Sequence, residues 1–318
     1  SKVSVKWEYL KGKGNVTIDV RMRTNLSQFF KEDNTSMIAA YLTKSINAVI
    51  EEAKQGGVDV TGVEFDYDCP TGKLKDFTRF IKTVRTYLKG RVFSITALPS
   101  WLNSPECLDL INTVDYYVLQ LHSFEIPKNS DSRQYIFPKD MAFNYLKKAV
   151  LIQKPFYISL PTYGYEVVYG KDDEFIGLRA ESGLQYYGDG IKRKMIFADP
   201  SAIVKFLDAA SEVKSNNFMG FCWFRLPVPS DRFNWDIKTF ELVIKREIPK
   251  GHLSIEVVKK PDGGEELLLV NDGELNFSED VNFDIFWSGK KPFYDVLSGF
   301  DYTDLPEGKG LCVAGRAP

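Results

Sequence analysis

The chain has 318 residues, 44% hydrophobic and 26% charged, and 41 lysines and arginines nearly balance 43 aspartates and glutamates for a net charge of −2. That composition is globular, with apolar material for a real core. It lacks the basic excess of a general nucleic-acid binder, and no run of about 18 apolar residues is present to make a transmembrane helix.

In chain order, Val3–Leu10 alternates apolar and polar residues and reads as a strand. Lys11 to Gly14 is a turn, and Val16–Met22 a second strand. Thr35–Lys54 predicts a long helix, with Met37, Ile38, Tyr41, Leu42, Ile46, Val49, Ile50 and Ala53 at helical spacing; Gly56-Gly57 caps it. Strands are then predicted over Val60–Tyr67, Val92–Leu98, Tyr116–Leu121, Phe156–Leu160 and Phe218–Phe224. Helices are predicted over Leu74–Leu88, Leu108–Val114, Asp140–Ile152 and Ser201–Val213.

Short apolar strands between amphipathic helices imply a parallel sheet covered by helices. The expected fold is α/β, a (β/α)8 barrel of the TIM type over residues 1–248, lacking its first strand or strands. After Ile248-Pro249 the rhythm changes. Leu253–Val258, Glu266–Val270, Val281–Trp287 and Gly310–Val313 are strand-like and separated by Asp-Gly and Gly-Gly turns, so 249–318 reads as a small all-β, sandwich-like domain. Both ends read as cut: the chain starts at Ser1 without an initiator methionine and stops at Pro318 without a finishing element. A removed leader and export to the periplasm or the outside fit that start.

Several chemistries are disfavoured outright. Cys69, Cys107, Cys222 and Cys312 form no C-x-x-C pair, although Cys69 and Cys107 follow neighbouring strands and could approach each other. With only His122 and His252, multi-histidine metal sites are excluded. Neither a phosphate loop nor a G-x-S-x-G elbow occurs. No cofactor and no metal is implied.

The sharpest feature is Val63-Glu64-Phe65-Asp66-Tyr67-Asp68. Alternate residues of a strand share a face. Helices cover the outside of a barrel, so the apolar set should face outward and Glu64, Asp66 and Asp68 the axis. Crowded, partly desolvated acids repel one another, and at least one should hold a proton at neutral pH, as a general acid must. An exposed acidic strand edge or a Ca²⁺ or Mg²⁺ cluster are the competing readings. Gln120 and His122 fall on one face at the end of another strand, as pocket lining or as a satisfied structural histidine. Trp101, Phe124, Tyr163, Tyr165 and Trp223 cluster at strand ends, where flat rings can stack on sugar faces or simply fill a core. Arg225 could pair with the acid row, and Glu125 or Glu166 could supply a second carboxylate from a loop.

The run Thr61 to Asp68 resembles the D-G-x-D-x-D-x-E strand of family 18 glycoside hydrolases, the chitinase family. FSITALP (93–99), YISLPTYGY (157–165) and Gly220-Phe221-Cys222-Trp223 resemble that family's fifth, seventh and eighth strands. Asp66-Tyr67-Asp68-Cys69-Pro70-Thr71 and Ser94–Leu102 match more specifically an uncharacterised bacterial family, domain of unknown function 3142. The resemblance implies a barrel acting on a polysaccharide or oligosaccharide, with Asp68 at the acid glutamate's position, Asp66 orienting it or stabilising positive charge, and Glu64 deeper. Asp68 is one methylene shorter than the family's acid, and Gln120-Leu121-His122-Ser123 replaces the family's M-x-Y-D. A non-catalytic carbohydrate-binding barrel is the alternative. A structural or assembly protein, with contacts made by the β domain, is the third reading.

Overall fold

A computed structural model describes residues 5–22, 32–88, 90–180, 191–275, 280–296, 300–305 and 309–316. The elements are β1 (Val16–Arg21), α1 (Glu32–Gln55), β2 (Val60–Asp66), α2 (Leu74–Tyr87), β3 (Val92–Ala97), α3 (Pro105–Ile111), β4 (Tyr116–Gln120), α4 (Ala142–Leu151) and β5 (Phe156–Pro161). They continue with β6 (Gly164–Tyr169), β7 (Phe175–Arg179), β8 (Lys192–Phe197), α5 (Pro200–Ser211), β9 (Phe218–Phe224) and α6 (Ile237–Ile244). The chain ends with β10 (Leu253–Lys259), β11 (Glu265–Asn271), β12 (Asp280–Phe286), β13 (Phe300–Asp304) and β14 (Gly310–Arg316).

The principal sheet has six strands in the order β1-β2-β3-β4-β5-β9. Each pairing from β1 to β5 is parallel. With a helix after each of the first four strands, this is the strand–helix repeat of a TIM-type barrel. Of the strand expected over Val3–Leu10, Val3 and Ser4 lie outside the described residues, and Trp7–Tyr9 is a 3-10 turn. Its alternating pattern has another cause. The Trp7 side chain lies against Gly56, where an added Cβ would come within 2.4 Å of the Trp7 Cβ, and its indole N–H donates to Glu52 at 3.1 Å. The segment is thus anchored on the end of α1 instead of pairing along β1.

Two compact units divide the chain. The first comprises Ser1–His122, Pro138–Leu160 and Ala209–Trp223; the second comprises Ser123–Phe137, Pro161–Asp208 and Phe224–Pro318. In the first, the helix-facing side of the sheet is the core. Val63, Phe65, Phe93, Ile95, Leu119, Phe156 and Ile158 are all fully buried. The Phe65 ring meets Phe80 of α2 and Phe93 of β3 edge-on at 6.1 and 5.6 Å. Asp115 fastens this layer: it receives both guanidinium arms of Arg85 at 2.8 Å and the Phe93 N–H at 2.8 Å. Helix α1 ends as Gly56-Gly57 leads one to expect. Gly57 has φ +76, and the Val58 N–H bonds back to the Ala53 carbonyl at 2.9 Å, the 6→1 bond of a Schellman cap. Met37 and Tyr41, counted on the apolar face by spacing, are exposed instead.

One irregularity sets up the site. Val16 pairs with Val60, but Thr17 pairs with Gly62, so Thr61 is an extra residue on β2. That bulge sets the register of everything above it.

In the second unit, β6 pairs antiparallel with β7 and β8, a sheet the sequence reading left without strands. Helix α6 and strand β13 were likewise not expected. The strands expected after residue 249 do form, as the antiparallel pair β10-β11 and the sheet β12-β14-β13.

Of the two readings of the strand-end ring Trp101, sugar contact and core, it takes the core, wholly buried. After β3 the chain turns through a 3-10 segment, Pro99–Asn103, which directs the indole inward. Its ring meets Phe77 of α2 at 6.1 Å, and its N–H donates to the Cys69 carbonyl at 2.9 Å. Trp101→Phe, which keeps the ring but leaves that carbonyl unsatisfied, is expected to cost about 1–3 kcal/mol in urea unfolding. An unchanged midpoint would contradict the indole's anchoring role.

Candidate functional site

Alternation puts Glu64 and Asp66 on the face of β2 opposite Val63 and Phe65. The parallel register then chooses their neighbours. Asp19 and Arg21 of β1 lie beside Glu64 and Asp66, and Ser94 of β3 lies on the other side of Glu64. Each acid has a different environment. Both Glu64 oxygens are occupied, Oε2 by the Ser94 hydroxyl and Oε1 by the Thr96 hydroxyl, each at 3.0 Å. Asp66, buried, takes an ion pair from the Arg21 Nε at 2.7 Å.

Asp68 lies two residues beyond the strand end. The Cys69 N–H bonds to the Tyr67 carbonyl at 2.7 Å, making Asp68 the centre of a three-residue γ-turn. That turn is buttressed on both sides: the Tyr67 ring packs on Phe77 at 5.3 Å, and Trp101 holds the Cys69 carbonyl. The Asp68 side chain is exposed at the rim, with no hydrogen bond or ion pair to another described residue.

The electrostatics follow this layout. Burial, repulsion by Asp66 and attraction by Arg21 all act on Asp68, and the first two win, so its carboxyl is pushed up. Asp19 feels the same three influences and rises to about 6. Glu64 is also pushed up, by burial above all, with its two hydroxyl partners opposing. Three carboxyls around the Arg21–Asp66 pair therefore hold protons more readily than free ones.

His122 and Gln120 are both at the end of β4, as expected. His122 is buried, with Nε2 at 3.1 Å from the Ser159 hydroxyl. Burial first, then the charge of Arg21, lower its pKa to about 3. It is a neutral hydrogen-bonding group at working pH, the satisfied histidine of the two readings. Gln120 donates to the His122 carbonyl at 3.1 Å. Trp223, at the end of β9, is half-buried. Its neighbour Cys222 is close enough to Glu64 to feel its charge, and burial pushes that thiol to about 12.

In the second unit, Tyr163, Tyr165, Phe124 and Phe224 form an aromatic cluster. Tyr165 meets Tyr163 and Phe124, each at 5.2 Å, and Tyr163 meets Phe224 at 5.5 Å. The Tyr165 hydroxyl donates to that of Tyr163, which is buried. Arg225 is bidentate to Asp231, at 2.6 and 2.9 Å, and also donates to the Ala180 carbonyl. The guanidinium that meets the acid row is that of Arg21. Glu166 is no loop carboxylate: it lies in β6, buried, and is bound by Arg179 at 2.6 Å. Glu125 is exposed in a loop.

Sequence reasoning missed Asp19 and Arg21. Their signal was present, because VTIDVRM alternates just as VEFDYD does, with Asp19 and Arg21 on one face. Among the described residues, no group of three or more His, Cys, Asp or Glu side chains is arranged to hold a metal ion. All four cysteines are free, with Cys69 and Cys107 buried in the core, so the approach considered for that pair makes no disulfide.

No curated protein matches the chain. Among solved structures, it is similar to the spore cortex-lytic enzyme SleL of Bacillus cereus, at 15% identity and a TM-score of 0.46 over 77% of this chain and 64% of that one. The SleL of Bacillus megaterium QM B1551 aligns at 13% identity and a TM-score of 0.48, over 74% of this chain and 59% of that one. The GH18 chitinase ChiB of Flavobacterium johnsoniae aligns at 13% identity and a TM-score of 0.46, over 75% and 76%. The chain thus spans less than two thirds of the length of either SleL. A family match covers residues 17–229, from β1 through the acid row to beyond Trp223. That is more than half of the 318 residues, and the chain belongs to the family described as Domain of unknown function (DUF3142).

Proposed function

We propose that the protein is a glycoside hydrolase-like enzyme acting on a polysaccharide or oligosaccharide, with Asp68 as its general acid. The supporting observation is the contrast along one strand. Glu64 is held by two hydroxyls and Asp66 by a guanidinium, while Asp68 stands at the rim with its proton affinity raised and its oxygens uncommitted. A group that must give a proton to a bound ligand needs both properties.

In the reaction this supports, Asp68 gives its proton to the bridging oxygen of the glycosidic bond. The carbon–oxygen bond breaks, its electron pair stays on the departing sugar's oxygen, and positive charge grows on the anomeric carbon. Asp66, held by Arg21, stabilises that charge. Water supplies the new hydroxyl at the anomeric carbon, and its proton returns to the Asp68 carboxylate. Gln120 and Trp223 belong to the same unit and serve as ligand contacts in this reading. In the second unit, Arg225 is committed to Asp231. Residues 249–318 form an accessory β domain. Among the described residues, no helix is long and apolar enough to cross a membrane; export belongs to the proposal because polysaccharide-processing barrels with appended β domains are commonly exported.

Glycan release from a panel of bacterial and plant polysaccharides tests the reading. The wild type is expected to release sugar and Asp68→Asn to lose about 10²–10⁴-fold. Binding without release by the wild type would replace the enzyme with a carbohydrate-binding barrel.

Because the working form of Asp68 is protonated, kcat is expected to fall as pH rises through its raised pKa. Asp68→Asn should remove that alkaline limb. A limb that persists in the variant would assign it to another group.

The acid row also marks stability. Asp19 titrates near 6 when folded and near 3.8 as a free side chain, so the native state binds its proton more tightly. Folding therefore loses stability as pH rises from about 4 to about 6. Asp19→Asn is expected to raise Tm at pH 7, with the advantage shrinking as pH falls from 6 to 4; a constant difference would contradict the assignment.

A further inference from the structure

We propose that Arg21 is a positioning residue of the acid row: by clamping Asp66 from the neighbouring strand, it sets the charge balance beside which Asp68 gives up its proton. This rests on reading Asp68 as the working carboxyl, but its test does not depend on any substrate.

The geometry carries the inference. Strands β1 and β2 run parallel, and the shifted register above the Thr61 bulge sets Arg21 directly beside Asp66. The Arg21 Nε to Asp66 contact is 2.7 Å, with the Asp66 side chain 12% and the Arg21 side chain 36% exposed. The pair is thus sheltered enough to escape full solvent screening. The alternative partners for Asp66 are already engaged: the Ser94 and Thr96 hydroxyls both serve Glu64.

The groups facing the row complete the account. On β1 they are Asp19 and Arg21, and on β2 Glu64 and Asp66. Strand β3 contributes the neutral Ser94 and Thr96, and β4 contributes the Tyr116 phenol, which burial pushes up and which feels the charge of Glu64. After β4 comes His122, uncharged at working pH, and on β9 the protonated Cys222 thiol. Among the described residues, Arg21 is the one positive charge in this set. The opposing pulls of Asp66 and Arg21 are felt at both Asp19 and Asp68, so the ion pair acts as a local dipole against which both free carboxyls titrate.

The test is NMR titration of the full chain with ¹³C-labelled aspartate carboxyls, using Asp68→Asn to assign the Asp68 signal. In Arg21→Gln, the Asp68 midpoint is expected to rise by about 0.5 pH or more, as loss of a nearby cation requires. Arg21→Lys, which keeps the charge, should stay closer to the wild type. An unmoved Asp68 midpoint in a natively folded Arg21→Gln, checked by near-ultraviolet circular dichroism, overturns the proposal. If Arg21→Gln does not fold, Asp66→Asn reads the same coupling with the opposite sign: the midpoint should fall, and an unmoved one overturns the proposal. A shifted midpoint in a protein that releases no sugar upholds the role of Arg21 while removing the hydrolase reading. Sugar release with an unshifted midpoint does the reverse.

Discussion

A carboxylate leaves water at a cost of several kcal/mol unless something replaces its hydration. The sheet of the first unit sets acids side by side on one face, and the rest of the site is organised by how each is compensated. Two hydroxyls from β3 serve Glu64, and a guanidinium from β1 serves Asp66. Among the described residues, Asp19 and Asp68 receive no such partner, and both, like Glu64, hold protons more tightly. The gradient from fully bonded interior acid to uncommitted rim acid is therefore a consequence of which strands flank β2.

The apolar side of the same strand makes that gradient mechanically secure. Phe65 is gripped between Phe80 and Phe93, so β2 cannot rotate to relieve its charges. Beyond the strand end, Tyr67 and Trp101 converge on Phe77. The tight turn that presents Asp68 is thus built on the α2 core. Precision at the rim derives from aromatic packing several ångströms below it.

Much of this was legible in the amino-acid sequence. The parallel sheet, its helices and the inward row of Glu64 and Asp66 all follow from strand alternation and from the apolar spacing of the helices. What was not legible has physical reasons. Asp19 and Arg21 alternate as clearly as the acid row, but which residues of two strands lie side by side is set by register, and register is not written in either strand alone. The side on which the Trp101 indole emerges was not legible because a 3-10 turn reverses it. Val3–Leu10 has a strand's pattern but spends its largest side chain on Gly56. The β6-β7-β8 sheet escaped because β6, buried for most of its length, and the half-charged β8 do not share one pattern.

The Thr61 bulge carries a consequence of its own. Extended upward unchanged, the Val16–Val60 pairing would set Asp19 against Val63 and Arg21 against Phe65, on the pleat that faces the helices. Two charges would then press into a fully buried apolar layer, and Asp66 would lose its counterion. The strand pair β1-β2 thus carries two registers, and electrostatics proofreads the upper one: the misaligned pairing is penalised on both faces of the sheet at once. A residue with no chemistry of its own decides which chemistry the two strands can share.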